Sequence, residues 1–311
     1  MATFEETLGE AKARCNGKLY LRNRQDFFRT LYPFTTELIS SYIDFFNLAD
    51  GPLLTVGSSC DQVINAALKG AREITLIDTD PYTRFYFYFK WAALEALARD
   101  EFYKFLCHQN YPVEFQRNHD PLRKEFYARV KLAMEELDPS SCRFWDLLYS
   151  TYTPKRIRES IFNRDEHGPE IISKCNPYLA MDTYKSVSEI LKGVHVTFLN
   201  KNLLLARIKG SFKNIWLSNV GVDLTAKERR TIFDKFYSLL EPEGQLLLAY
   251  IYGPSNTNAA NEMSYLNILK AEFRDYPIQE IRFRGINGFR NDRDQDDCAL
   301  IIRKHWKTML F

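Results

Sequence analysis

Apolar residues recur at spacings of three and four along most of the chain, and short, uninterrupted apolar runs break that rhythm at intervals. From Arg22 to Leu48 the residues Phe27, Phe28, Leu31, Phe34, Leu38, Ile39, Tyr42 and Phe45 follow a helical spacing broken once near Pro33, and Asp50, Gly51 and Pro52 end it. Leu53 to Val56 is then a short β-rich run, Gly57, Ser58 and Ser59 form a small-residue turn, and Asp61 to Leu68 resumes a helix. Ile74 to Ile77 is a second strand ending at Asp78, with Pro81 where the next helix begins, so two β-α units stand within about fifty residues. The helix after Pro81 carries Phe85, Tyr86, Phe87, Tyr88, Phe89 and Trp91 on every side and must be covered on several faces. From about residue 100 to 190 only short helices are signalled. Strand runs return at Val194–Leu199, Phe212–Leu217, Gln245–Tyr250, Ile278–Phe283 and Cys298–Arg303, with a helix from Thr225 to Leu240 stopped by Glu241, Pro242, Glu243 and Gly244.

The pattern predicts an α/β fold with about seven strands in an open, mostly parallel sheet. It divides the chain into a helical N-terminal region (1–50), a sheet-bearing domain (51–100 and 191–311) and a helical insertion on the acceptor side (101–190). With 311 residues, 45% of them apolar and 26% charged, a substantial core can form and disorder is excluded. Forty-two Lys and Arg against 40 Asp and Glu leave a formal charge of +2 and no dense basic block, so no nucleic-acid partner is expected. Six cysteines without a CxxC pair read as reduced thiols, and the acidic, amphipathic start is no secretory signal. No run of roughly 18 apolar residues is long enough to span a membrane. The expected address is the cytoplasm.

In open α/β sheets a ligand lies beyond the carboxyl ends of the strands where strand order reverses, which here means the first two β-α turns. The first, Gly57-Ser58-Ser59-Cys60-Asp61, is tight and has one glycine where a dinucleotide fingerprint has three, so a pyrophosphate cradle is not expected. An ordinary strand-to-helix turn would look the same. The second turn adds Asp78, 21 residues after Gly57, where a carboxylate can accept both hydroxyls of a ribose. Asp78-Thr79-Asp80-Pro81 also reads as a helix cap, a role that suits Asp80 and leaves Asp78 free. A nucleoside ligand without a pyrophosphate on such a sheet points to S-adenosylmethionine more than to NAD.

The succession LLTVGSSCDQVINAALKGAREITLIDTDP, an aromatic and alanine-rich helix, a helical insertion, then NPYLAMDTYKSVSEIL, VTFLNKNLLL and FKNIWLSNV resembles the BtaA-like, betaine-lipid synthase type branch of class I S-adenosylmethionine-dependent transferases, over most of residues 50 to 252. The resemblance implies a methyltransferase-like Rossmann sheet and transfer of the 3-amino-3-carboxypropyl group of S-adenosylmethionine to an acceptor, a diacylglycerol hydroxyl in the family. It implies Gly57, Ser58, Ser59 and Asp61 around the methionine and ribose, Asp78 on the ribose hydroxyls, Thr79 beside the adenine, Asn202 near the adenine amine, and Ser218 and Asn219 beside the sulfonium. Asp223 and Tyr184 are candidates for base or positioning residue. The family's acidic, tryptophan-containing segment has no counterpart between Asn23 and Asp50, and Val222 stands where an acidic residue is expected, so the acceptor is not implied.

Other constellations are weaker. Cys107, His108 and His119 lack a fourth ligand, and no metal is expected. The first turn imitates a hydrolase nucleophile elbow poorly, because Asp61 replaces the closing glycine. Arg282, Arg284, Arg290 and Arg293 could meet an anionic acceptor but are offset by Asp292, Asp294, Asp296 and Asp297. Peripheral membrane contact through the helix from Phe85 to Trp91 or the N-terminus is a lesser alternative to core packing. The sequence therefore predicts an S-adenosylmethionine-dependent transferase acting on a small-molecule or lipid-like acceptor. The alternatives are a small-molecule methyltransferase and a non-catalytic nucleotide- or partner-binding domain.

Overall fold

A computed structural model of the protein describes residues 3–17, 31–57, 59–107, 122–162, 168–221, 224–249, 251, 265–285 and 296–304. Seven strands, β1 (Leu53–Val56), β2 (Glu73–Asp78), β3 (His195–Asn200), β4 (Phe212–Ser218), β5 (Leu240–Leu248), β6 (Ile278–Arg284) and β7 (Asp296–Arg303), form one sheet in the order β3-β2-β1-β4-β5-β7-β6. Strands β1 to β5 pair in parallel, and β7 is antiparallel to both neighbours. This is the expected α/β sheet of class I methyltransferase type, with its reversal of winding between β1 and β4.

Central strands covered on both faces read as continuous apolar runs, and the alternating side chains divide the core in two. Leu53, Trp216, Leu247 and Ile301 enter one core, and Leu54, Ile215, Leu246 and Ile302 enter the other. The second core is closed by α10 (Ala226–Ser238) and α11 (Tyr265–Glu272). The first is covered by α1 (Phe4–Cys15), α2 (Asp61–Leu68) and α3 (Thr83–Ala96), together with α4 (Arg99–Leu106), α5 (Lys124–Leu137), α6 (Pro139–Tyr149), α7 (Pro154–Ile161), α8 (Pro169–Cys175) and α9 (Met181–Lys192). The described residues between 101 and 190 thus share one core with the N-terminal helix and the sheet.

The aromatic helix α3 is covered on several faces, as its sequence requires. Phe85 stacks on Phe144 at 4.3 Å, Phe89 meets Trp145 at 4.4 Å, and Phe87 meets Phe198 of β3 at 5.6 Å. The Trp145 indole donates to the Phe85 carbonyl at 2.9 Å, and these rings are buried instead of forming a membrane-facing surface. Among the described residues no helix is long and apolar enough to cross a membrane.

Two expectations are corrected. Residues 31–48 are not an amphipathic helix but a strap with 3-10 turns at Ile39–Ser41 and Ile43–Phe45, anchored by a bridge from Leu31 to Phe162. Polar groups of the strap bind the first turn of α2: the Thr35 amide donates to Asp61 at 2.5 Å, and such tertiary bonds override the helical spacing of its apolar residues. Residues 22–30 of that pattern lie outside the described residues. Strand β5 begins at Leu240, and Glu241 to Gly244 form a bulge, since Leu240 pairs with Phe212 while Gln245 pairs with Asn214. A Cβ on Gly244 would lie 2.8 Å from the Glu241 carbonyl oxygen and 3.0 Å from that of Lys213, so the bulge admits only glycine.

Candidate functional site

The switch point lies between the paired strands β1 and β4, where strand order reverses and a ligand crevice is expected beyond their carboxyl ends. After Val56, Gly57 turns the chain beneath β2; a Cβ there would sit 2.4 Å from the Leu76 side chain, so this glycine serves close packing. Cys60 adopts the left-handed conformation at φ 64° before α2 begins, and Ser218 does so at φ 53° at the end of β4. Two non-glycine residues in this costly region thus stand at the carboxyl ends of β1 and β4, on either side of the switch point, the kind of strain that accumulates at functional sites.

Asp61, expected beside the methionine and ribose, is engaged by the protein's own side chains. It forms a fully buried ion pair with Lys90 of α3 and accepts hydrogen bonds from the Tyr178 hydroxyl at 2.6 Å and the Thr35 amide. Lys90 also donates to the Pro33 carbonyl at 2.8 Å and the Ser59 carbonyl at 3.0 Å, tying strap, first turn and α3 together. The NPYL segment braces α2: Asn65 donates to the Asn176 side-chain oxygen at 3.0 Å and accepts from the Tyr178 amide at 3.2 Å.

Asp78 lies at the carboxyl end of β2, half-buried, and it is not free. It accepts from the Asp80 amide at 2.9 Å and the Thr83 hydroxyl at 3.1 Å, while Asp80 accepts from the Tyr82 amide at 2.8 Å. Both aspartates therefore cap the following turn. Burial raises the Asp78 carboxyl above its ordinary range, and burial with the neighbouring Asp78 charge raises Asp80 further. The Thr79 amide and the other two donors pull the Asp78 carboxyl back down against this burial. Thr79 is exposed beside it. Asn200, unnoticed in the sequence, donates to the Thr79 carbonyl at 2.9 Å across the β2–β3 edge. Asn202 is exposed and accepts from the Leu204 amide at 2.8 Å, so its oxygen is engaged in a local turn.

On the β4 side, the Ser218 hydroxyl donates to Glu37 at 2.6 Å. Glu37 is 2% exposed and also accepts from Gln62 at 3.2 Å and from the Tyr42 hydroxyl. Burial raises its carboxyl while these hydrogen bonds pull it down. The Gln62 oxygen Oε1 is buried with no hydrogen-bond partner among the described residues. Asp297, at the start of β7 and 3% exposed, is pushed up to about 7 by burial, with the Glu37 charge adding to it. Spacing gave no sign of Glu37; its only signal is one carboxylate in an otherwise apolar and hydroxyl-bearing stretch, which reads equally as the polar side of a helix.

The remaining candidates are dispersed. Asn219 is exposed and lines an apolar cavity of about 20 Å³ with Phe233 and Phe273, room for little more than a water. Tyr184 is buried in the helical layer, where its hydroxyl donates to the Leu97 carbonyl at 3.0 Å and burial raises the phenol above its ordinary range. Arg282 is paired with Glu280. Ser58 and Asp223 lie outside the described residues, as do His108, His119, Arg290 and Arg293. No metal-binding cluster occurs among the described residues, and their six cysteines are free and buried.

No protein-family model matches the sequence, and no curated protein does. Among solved structures the chain is similar to the N-methyltransferase NodS from Bradyrhizobium japonicum WM9 in complex with S-adenosyl-L-homocysteine, at 10% identity and a TM-score of 0.41 over 96% of this chain and 98% of that one. It is also similar to magnesium protoporphyrin IX methyltransferase from Synechocystis PCC 6803 with bound S-adenosylmethionine, at 12% identity and a TM-score of 0.38 over 97% and 93%. A methyltransferase from Pyrococcus furiosus matches at 12% identity and a TM-score of 0.37 over 86% and 82%.

Proposed function

We propose that the protein is an S-adenosylmethionine-dependent transferase acting on a small-molecule or lipid-like acceptor. The observation that carries this is a buried acceptor cluster at the switch point: the Glu37 carboxyl, bonded to Ser218 at the end of β4, lies beside the Gln62 oxygen that lacks a donor among the described residues, with Asp297 adding to the negative potential. A buried oxygen without a donor is costly, and the ammonium of a methionine tail is a donor of the right charge. The residues thus fit the cofactor. Asp78 is suited to the ribose hydroxyls, Thr79 to the adenine side, and Ser218 and Asn219 to the far side of the sulfonium.

Bound S-adenosylmethionine supplies a sulfonium with electrophilic carbons. The chain's own part is to anchor and orient: Glu37 and Gln62 hold the tail, and the Lys90–Asp61 pair keeps the first turn and the strap in place. Asp297, titrating near neutrality, is suited to take a proton from the acceptor. A tail held at its ammonium and a nucleoside held at its ribose leave the methyl as the group presented to the acceptor, which favours methyl transfer. Aminocarboxypropyl transfer is the second reading, favoured by the residues of the first turn, NPYL and LSN.

Calorimetry of the purified chain with S-adenosylmethionine, S-adenosylhomocysteine and NADH tests the cofactor. Binding of the first two and not of NADH is expected. Heat with NADH alone would overturn the assignment, and heat with none would support a non-catalytic, partner-binding domain.

A further inference from the structure

The geometry points to a second binding site at the opposite, amino-terminal edge of the sheet, for a small anion that also carries an N–H donor on an apolar or ring-shaped body. It does not depend on the crevice. A cavity of about 400 Å³ lies there, within the range of small-molecule sites. It is lined by the strap from Ile43 to Leu48, by Lys69 at the end of α2, and by Gln245 and Arg303.

The donor requirement comes from buried amides. Gln245 is 6% exposed, and its oxygen Oε1 has no hydrogen-bond partner among the described residues. Its register partner on β4, Asn214, is fully buried, and its oxygen Oδ1 is likewise without one, although its nitrogen donates to the Asn47 carbonyl at 2.9 Å. Two adjacent amide oxygens without donors, at least one of them on the cavity wall, are a cost that the fold retains and that an N–H from a ligand would remove.

The requirement for an anion comes from the rim. Lys69 and Arg303 supply two positive charges, and Asp44 neutralises one of them through its ion pair with Lys69 at 2.5 Å. Among the described residues the exposed Arg303 makes one long side-chain hydrogen bond, 3.3 Å to Gln279, leaving donors of its guanidinium for an anion. Phe46, buried, and Phe45, 50% exposed, provide an apolar wall for the body of the ligand. Nucleotides with an amino-bearing base and apolar α-amino acids share this chemistry.

Calorimetry on the full chain decides the matter, with S-adenosylhomocysteine in excess so that the crevice cannot contribute. The probes are adenosine 5′-monophosphate, L-leucine, adenosine and inorganic phosphate. Binding is expected for the nucleotide or the amino acid, and which of the two gives heat names the source. Adenosine and phosphate alone should bind at least tenfold more weakly. Gln245→Leu and Arg303→Ala should each weaken the ligand tenfold or more, while Glu37→Gln leaves it unchanged. Gln245→Leu removes an unsatisfied buried group, so its melting temperature should not fall; should it fail to fold, the exposed Arg303→Ala variant and the phosphate comparison still decide. The proposal is overturned if neither nucleotide nor amino acid binds, if phosphate alone binds as tightly, or if the variants bind unchanged.

Discussion

The Ser218 hydroxyl donates to Glu37 at 2.6 Å, joining two residues 181 positions apart in sequence. The bond draws the strap ahead of β1 onto the carboxyl end of β4 and holds a carboxylate at the switch point of the sheet. Ser218 keeps a left-handed backbone to make this contact, and Tyr42 and Gln62 fix the same carboxylate from two other directions.

If Glu37 receives the ammonium of S-adenosylmethionine, Glu37→Gln should weaken S-adenosylhomocysteine about tenfold, roughly 1.4 kcal/mol, with no loss of melting temperature. Because burial raises this carboxyl, affinity should increase as pH rises and the carboxylate forms. Asp78→Ala should cost about 2 kcal/mol of binding, as two ribose hydrogen bonds are lost. Calorimetry between pH 5 and 8 reads both, and an unchanged affinity in Glu37→Gln would put the tail elsewhere.

Lys90→Met leaves Asp61 buried without its cation and should destabilise the chain by about 3–5 kcal/mol. The double variant Lys90→Met with Asp61→Asn should recover much of that, since the uncompensated charge is gone. Urea unfolding of both variants provides the comparison; a double variant as unstable as the single one would mean that Lys90 acts mainly through the Pro33 and Ser59 carbonyls.

The sheet was largely legible because parallel strands buried on both faces leave continuous apolar runs such as Leu53–Val56, and because Asp78 closes one of them. The bulge in β5 was hidden, as Glu241 to Gly244 reads as a stop between elements until its strand partners are known. Asp61 and Asp78 stood out as carboxylates at strand-to-helix turns, yet their partners, Lys90, Tyr178, Thr35 and Thr83, come mostly from distant segments that spacing does not connect. Glu37 was invisible for the same reason: a strap held by tertiary hydrogen bonds carries no period of its own.

Asp297 should make stability depend on pH. Its carboxyl is near its ordinary value of 3.8 when unfolded and at about 7 when folded, so between these values the native chain holds a proton that the unfolded chain has released. Stability is greatest below about 4 on this account and falls as pH rises through 7, by at most roughly 4 kcal/mol. Asp297→Asn should flatten that slope and gain stability relative to the parent at pH 8. Thermal unfolding from pH 5 to 8 checks it, and parallel curves for parent and variant would show that Asp297 is ionised throughout.

The by-product of turnover separates the two readings of the chemistry without knowledge of the acceptor. Attack at the methyl carbon leaves S-adenosylhomocysteine, whereas attack at the first carbon of the aminocarboxypropyl chain leaves methylthioadenosine. An ammonium held by Glu37 and Gln62 restrains the aminocarboxypropyl chain, so S-adenosylhomocysteine is the expected product. The assay incubates the purified protein with S-adenosylmethionine and an extract of the source cells, then follows nucleosides by mass spectrometry against a boiled control. In Glu37→Gln the yield should fall while the identity of the nucleoside stays the same. Enzyme-dependent methylthioadenosine in place of S-adenosylhomocysteine would reverse the choice, because the tail would then be the group in motion and Glu37 would have to release it in each cycle.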